Sequence, residues 1–295
     1  MTGTLEILVK GGFLRRGMRK PHPALFKAFV LSGMLLSPAA LAALPVAISS
    51  AAVSDPHHLV GGALAPAKDD KPLSVFPENL IYEISWAGIP VGEATLSVPE
   101  LVSFNGAPAY HIVSHADSND FADAFYKVRD VNEAWLDART LDSLGYYKKL
   151  REGHFYRDEW VLYNQKDHRF LAKTVNRDGS FSWRGGTVPV SVQDVLSSLY
   201  YIRNQPLVPG KDIILDVNTK QNWPLVVHVL GRRVIKTPAG TFHTILVKPA
   251  VRRDGIFIQK GRNLQIWLTD DARRIPVLMR VQLFFGHVEA SLKVL

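Results

Sequence analysis

A chain of 295 residues with 47% apolar and 21% charged residues has the composition of a folded globular protein, which excludes the disordered and fibrous classes. The complete absence of cysteine excludes disulfides, thiolate nucleophiles, zinc-thiolate sites and iron-sulfur clusters. A net charge of +8 would suit a polyanion, but residues 1–42 hold six Lys/Arg against one Glu, so +5 of it belongs to them and only +3 to the rest, and no nucleic-acid partner is expected.

The first element in chain order is an export signal. Arg15, Arg16, Arg19 and Lys20 form a basic stretch, Ala28 to Leu36 an apolar one, and Pro38 with Ala40-Leu41-Ala42 a break followed by small residues. That order is a secretory leader cut before Ala43, with Met18 an alternative start, and it predicts a periplasmic protein. The apolar run is well short of the roughly 20 residues of a spanning helix, so no transmembrane segment is expected after cleavage. Arg15-Arg16 lacks the flanking pattern of a twin-arginine signal, and without cysteine there is no lipid-anchoring box.

Residues 43–75 are rich in Ala, Pro, Ser, Gly and Asp without sustained period, and read as a flexible linker. His57-His58 lies in it as an incidental pair. From Phe76 onward the period is two, as in strands with one buried face. Tyr82, Ile84 and Trp86 share a face, Gly88-Ile89-Pro90 breaks the run, and Glu93 to Val98 resumes it, which predicts a hairpin. Similar runs fall near 109–115, 126–136, 155–163, 168–175, 213–217, 225–235, 241–248, 256–268, 277–285 and 288–294, separated by turn residues such as Asn105-Gly106 and Pro238-Ala239-Gly240.

One segment departs from this pattern. Val192, Val195, Leu196, Leu199 and Ile202 follow helical spacing, and Ser191 with Asp194 resembles a capping box, so an amphipathic helix is expected at about 191–203. The predicted fold is therefore mainly β: residues 76–295 as a single domain, built on one antiparallel, strongly curved sheet or an open, flattened β-barrel, with one helix packed on it.

No catalytic residue, metal site or cofactor emerges. His111 and His115 lie about 13 Å apart on a strand and cannot chelate one ion directly. There is no G-x-S-x-G elbow, Walker loop or G-x-G-x-x-G fingerprint, and Gly185-Gly186 reads as a loop. The densest polar cluster runs from Trp267 to Pro276 and contains Asp270, Asp271, Arg273 and Arg274. Adjacent carboxylates beside arginines can bind an ion or exchange protons. A tight turn braced by salt bridges is the favoured alternative.

These runs carry a family resemblance. Tyr82-x-x-x-Trp86-x-Gly88-Ile89-x-Val91-Gly92, Tyr126-Lys127-Val128-Arg129-Asp130, the segment Asp194 to Arg203, Thr237-Pro238-Ala239-Gly240-Thr241-Phe242 and Trp267-Leu268-Thr269-Asp270-Asp271-x-Arg273-Arg274-Ile275-Pro276-Val277 resemble the exported bacterial family known as domain of unknown function 3108, over about 76–295. The resemblance implies an envelope protein of antiparallel β structure and supplies no activity or catalytic residue. The candidate binding residues are Trp267, Asp270, Asp271, Arg273, Arg274, Trp86 and Arg203.

The functional expectation leans away from an enzyme. A binding or carrier protein whose curved sheet offers an apolar concave face to a lipid or other envelope component comes first. An assembly factor docking on an envelope machine through a sheet edge is the alternative. So is a polysaccharide hydrolase drawing a carboxylate pair from Asp270, Asp271, Glu83 and Asp130.

Overall fold

The computed structural model describes residues 56–71, 73, 76–219, 221–250, 263–283 and 286–295; the expected leader, residues 1–42, lies outside them. Among the described residues fifteen strands form one sheet. They are β1 (Val60–Ala63), β2 (Glu78–Trp86), β3 (Ile89–Phe104), β4 (Ala107–Ser118), β5 (Arg129–Asp137), β6 (Ser143–Glu152), β7 (Phe155–Asn164), β8 (Arg169–Asn176), β9 (Phe181–Thr187), β10 (Asp212–Asn218), β11 (Asn222–Thr237), β12 (Gly240–Pro249), β13 (Leu264–Thr269), β14 (Pro276–Gln282) and β15 (His287–Val294). The helices are α1 (Asp120–Asp123) and α2 (Val195–Arg203).

Chain order and sheet order nearly coincide, because each strand turns back on its predecessor. The path runs β10 through β15, then β2 through β9, and every neighbouring pair along it is antiparallel. The last strand therefore pairs with the first long one, Leu292 opposite Tyr82, and brings the two halves of the chain into one surface. The sheet is not closed: β9 and β10 remain its two edges. Side chains span the seam between them, Arg184 donating to the Thr219 carbonyl at 2.8 Å and Asn222 to the Thr187 carbonyl at 2.6 Å.

Local chemistry sets the hairpins. Gly88 takes φ +85° in the β2–β3 turn, a conformation that disfavours any residue with a Cβ. Gly92 is required for a different reason: a Cβ there would collide with the Asp117 carbonyl oxygen of β4.

Alternation places one face of every long strand inside. Leu80, Tyr82, Ile112, Leu136, Leu225, Ile245, Leu268 and Leu292 are all fully buried and belong to one continuous cluster, and each such side chain contributes roughly 1.5–3 kcal/mol. Helix α2 lies within that cluster. It is buried on nearly all sides, Val195 to Tyr200, Ile202 and Arg203 alike, so the expected one-faced amphipathic helix is an internal one. Its cap is Asp194 with Ser197, not Ser191 with Asp194; Ser191 instead sits at φ +59° in the preceding turn. Ser143 Oγ donates to Asp194 Oδ2 at 2.6 Å and Gln193 Nε2 to the Leu141 carbonyl at 2.7 Å, fixing the helix start to the β5–β6 connection.

Three departures from the sequence reading have physical causes. Strand β6 escaped it because Lys148 points inward, where its ammonium meets Glu159 of β7 at 3.2 Å. Strand β9 contains Gly185-Gly186, expected as a loop, and its inward residue is again charged: Arg184 meets Glu159 at 3.4 Å. An inward-pointing cation reads as polar in a period-two pattern and erases it. Within the expected linker, Pro56–Leu59 form a 3-10 turn and Val60–Ala63 pair with β3.

Candidate functional site

The cluster read from sequence lies at the β13–β14 turn. Asp271 Oδ1 accepts from the Thr269 hydroxyl at 2.6 Å and from the Arg273 and Arg274 amides at 3.0 and 3.2 Å, which folds the chain sharply and holds its carboxyl below the usual range although burial alone would raise it. Asp270 instead accepts from Arg232 Nε of β11 at 2.6 Å and lies 3.5 Å from Arg274. Trp267 is buried on β13 with the Arg280 guanidinium over its ring at 5.5 Å.

Arg203 joins this turn from the inside. At the end of α2 its guanidinium grips Glu78 through two hydrogen bonds of 2.8 and 2.6 Å and donates to the Arg273 carbonyl at 3.2 Å. The Tyr200 hydroxyl donates to the same Glu78 carboxylate at 3.0 Å, and the Tyr82 hydroxyl to the Pro276 carbonyl at 2.8 Å. The Arg203 side chain is 1% exposed. Helix α2, strand β2 and the β13–β14 turn are thus pinned at one buried point. Trp86 is not part of it: it lies eight residues along β2 from Glu78, about 26 Å at the strand rise.

Asp130, drawn into the carboxylate set from sequence, is buried between β5 and β6 beside Glu152, which is also buried. Desolvation first and the Glu152 charge second push its pKa up to about 8, although it accepts from the Arg151 amide at 2.7 Å. Burial and the same two carboxyls raise the nearby Tyr126 phenol. Glu83 is half-buried on β2, facing Ser291 and Glu93 in register.

The outer face of the sheet carries a second set of residues that sequence reasoning did not assemble. Trp135, Phe104, Val102, Ala109 and Leu162 form a small cluster there, covered by Leu59 and Val60. His57 Nε2 lies 3.0 Å from Glu133 Oε1 and His111 Nε2 lies 2.7 Å from Glu133 Oε2, with His111 stacked on Trp135 at 5.3 Å. Burial alone would raise Glu133, but the two imidazoles hold it at about 2. Its contribution to stability is present above the ordinary value of 4.5 and is lost as pH falls toward 2. Glu133→Gln is therefore expected to lower stability by about 1–2 kcal/mol at pH 7, in chemical denaturation, with the gap from the parent protein closing near pH 2.

From Glu133 a single register row crosses four strands: Tyr147 opposite Trp160, Trp160 opposite Lys173, Lys173 opposite Trp183. The Lys173 ammonium lies 5.9, 5.1 and 5.3 Å from the ring centres of Trp160, Phe181 and Trp183. Tyr156 is flanked by Arg151 at 5.3 Å and Arg177 at 4.8 Å. Phe181 is 60% and Trp183 38% exposed. The signal for this face was the period of two in β6 and β9, which the inward charges hid.

One large, open, antiparallel sheet curled around an internal helix defines a β-barrel-like protein. A family model described as a protein of unknown function, DUF3108, matches residues 81–293, and the chain belongs to that family. Among solved structures, the chain is similar to a beta-barrel-like protein of domain of unknown function DUF1849 from Brucella abortus. The two share 9% identity at a TM-score of 0.50, with 74% of this chain and 96% of that one covered, a likeness of fold alone. Comparison with curated proteins gave no match. Among the described residues no helix is long and apolar enough to cross a membrane, and no His/Cys/Asp/Glu group is arranged to hold a metal ion.

Proposed function

We propose that the protein is a non-enzymatic binding protein of the cell envelope, exported by residues 1–42 to the periplasm, that engages a hydrophobic or lipid-like component through the outer face of β5–β9. The observation that carries this is the row of rings and cations from Tyr147 to Trp183, with Phe181 and Trp183 open to solvent. The concave face, first expected to hold the ligand, is occupied by α2 and the continuous core, so recognition belongs outside. A hydrolase is disfavoured because Asp270 and Asp271 are held by arginines and turn amides, and Asp130 is buried beside Glu152.

Native mass spectrometry of protein recovered from the periplasm without delipidation tests the reading. A lipid-like adduct that diminishes in the double variant Phe181→Ala/Trp183→Ala is expected; adduct-free protein would refute bound cargo, and recovery from the cytoplasm alone would refute export. The assembly-factor reading has its own support in edge strand β9, all seven of whose residues are exposed or half-exposed. Crosslinking in intact cells to a protein partner through β9 would favour it.

A further inference from the structure

We infer that the outer face of β6–β9 seats the protein on the anionic surface of a phospholipid bilayer, an inference that rests on the binding reading above and names its ligand. The face has the two components that interfacial adsorption requires. Aromatic rings supply apolar area with edges that tolerate the headgroup layer, and cations supply attraction to anionic headgroups. Tyr147, Tyr156, Trp160, Phe181 and Trp183 are the rings; Lys149, Arg151, Lys173 and Arg177 are the cations interleaved with them. Asp158 faces outward among them and is neutralised by Arg151 through bonds of 2.6 and 3.1 Å. Lys149, Lys173 and Arg177 make no ion pair with any described residue, so their charge is available.

The charge of the whole chain is distributed to match. Residues 43–142 hold five Lys/Arg against fourteen Asp/Glu, and residues 143–295 hold twenty-four against twelve. In the sheet, β2–β5 from the acidic half lie together in the middle, and strands from the basic half flank them on both sides and meet at the seam of β9 and β10. At the seam β10 adds Ile214, 66% exposed, and β11 carries exposed Arg233 and Lys236 beyond its pairing with β10. One side of the molecule is therefore basic and ring-bearing and the opposite side acidic, which orients it on a negative surface. A polyanion without aromatic groups, such as an acidic polysaccharide, would use the cations and leave Phe181 and Trp183 in water; a bilayer interface takes both.

Protein recovered from an export-competent host, in the form the host leaves it, is sedimented with vesicles of phosphatidylglycerol mixed into phosphatidylcholine and, in parallel, of phosphatidylcholine alone. Partition onto the anionic vesicles is expected to be about tenfold stronger or more and to fall steeply with added salt. Phe181→Ala/Trp183→Ala is expected to reduce it about tenfold, and Lys173→Gln about fivefold with the apolar component retained. Thermal melts of each variant separate lost binding from lost folding, and Lys173→Gln keeps the test alive if the double variant fails to fold. Equal partition onto both vesicle types, indifference to all three substitutions, or retention on heparin without vesicle binding would each overturn the inference. A lipid-like adduct in mass spectrometry with no vesicle binding sinks this inference and leaves the broader reading standing; anionic-selective vesicle binding without an adduct does the reverse for bound cargo.

Discussion

Arg203→Ala is expected to destabilise the protein by about 3–5 kcal/mol, lowering the melting temperature by about 10 °C. The reason is the set of groups it would strand. Glu78 would lose both strong hydrogen bonds and retain only the Tyr200 hydroxyl, and the Arg273 carbonyl would lose its donor. The Arg203 and Glu78 side chains are 1% and 5% exposed, so water cannot replace the lost partner. Removing both charges separates the cost of a stranded carboxylate from the worth of the pair: with Arg203→Met and Glu78→Leu together, much of the loss is expected to return. A loss below about 1 kcal/mol for Arg203→Ala, measured by denaturant titration, would show that the buried pair does not hold α2 to the β13–β14 turn.

Asp130→Asn should act in the other direction, with a gain that grows as pH rises from about 4 to about 8. Asp130 has an ordinary value of 3.8 and a folded value of about 8, so the folded state holds its proton more tightly than the unfolded chain. Stability is thus greatest below the ordinary value and falls as pH rises through the window from 3.8 to about 8. Asparagine keeps an oxygen for the Arg151 amide and has no charge to bury, so the variant is expected to gain about 1–3 kcal/mol at pH 8.5 and nothing at pH 4. Denaturation midpoints across that range measure it; a constant difference at every pH would contradict the buried carboxyl pair as its source.

The sheet was legible in the sequence where one face is apolar throughout. Tyr82, Ile84 and Trp86 on β2, or Val288, Ala290 and Leu292 on β15, alternate without interruption, and the predicted hairpin of β2 and β3 is present. Strands β6 and β9 were not legible, since Lys148 and Arg184 point inward to Glu159 and only the third dimension reveals the pairing. The same limit governed the sites. Asp270, Asp271, Arg273 and Arg274 are adjacent in sequence and therefore conspicuous, and the structure places them in a turn stitched to its own backbone and to Arg232. His57 and His111 are far apart in the chain and were read in unrelated pairs, and Glu133 was not singled out, yet register and the 3-10 turn bring all three together. Arg203 was singled out, but nothing in the sequence connects it to Glu78, 125 residues away.

The unclosed seam has a consequence for how such a molecule can change size. In a closed barrel, inserting a hairpin alters strand number, tilt and stagger together and forces every ladder to adjust. Here β9 and β10 end the sheet, and side-chain contacts from Arg184 and Asn222 reach across the gap. A hairpin accreted at β9 would leave the thirteen existing strand pairs of the main path and the buried helix undisturbed, whereas the edge of β10 is already bridged by the backbone of Gln193, just before α2. Length variation in this architecture is thereby channelled to the connection between β9 and β10, the stretch that also carries α2.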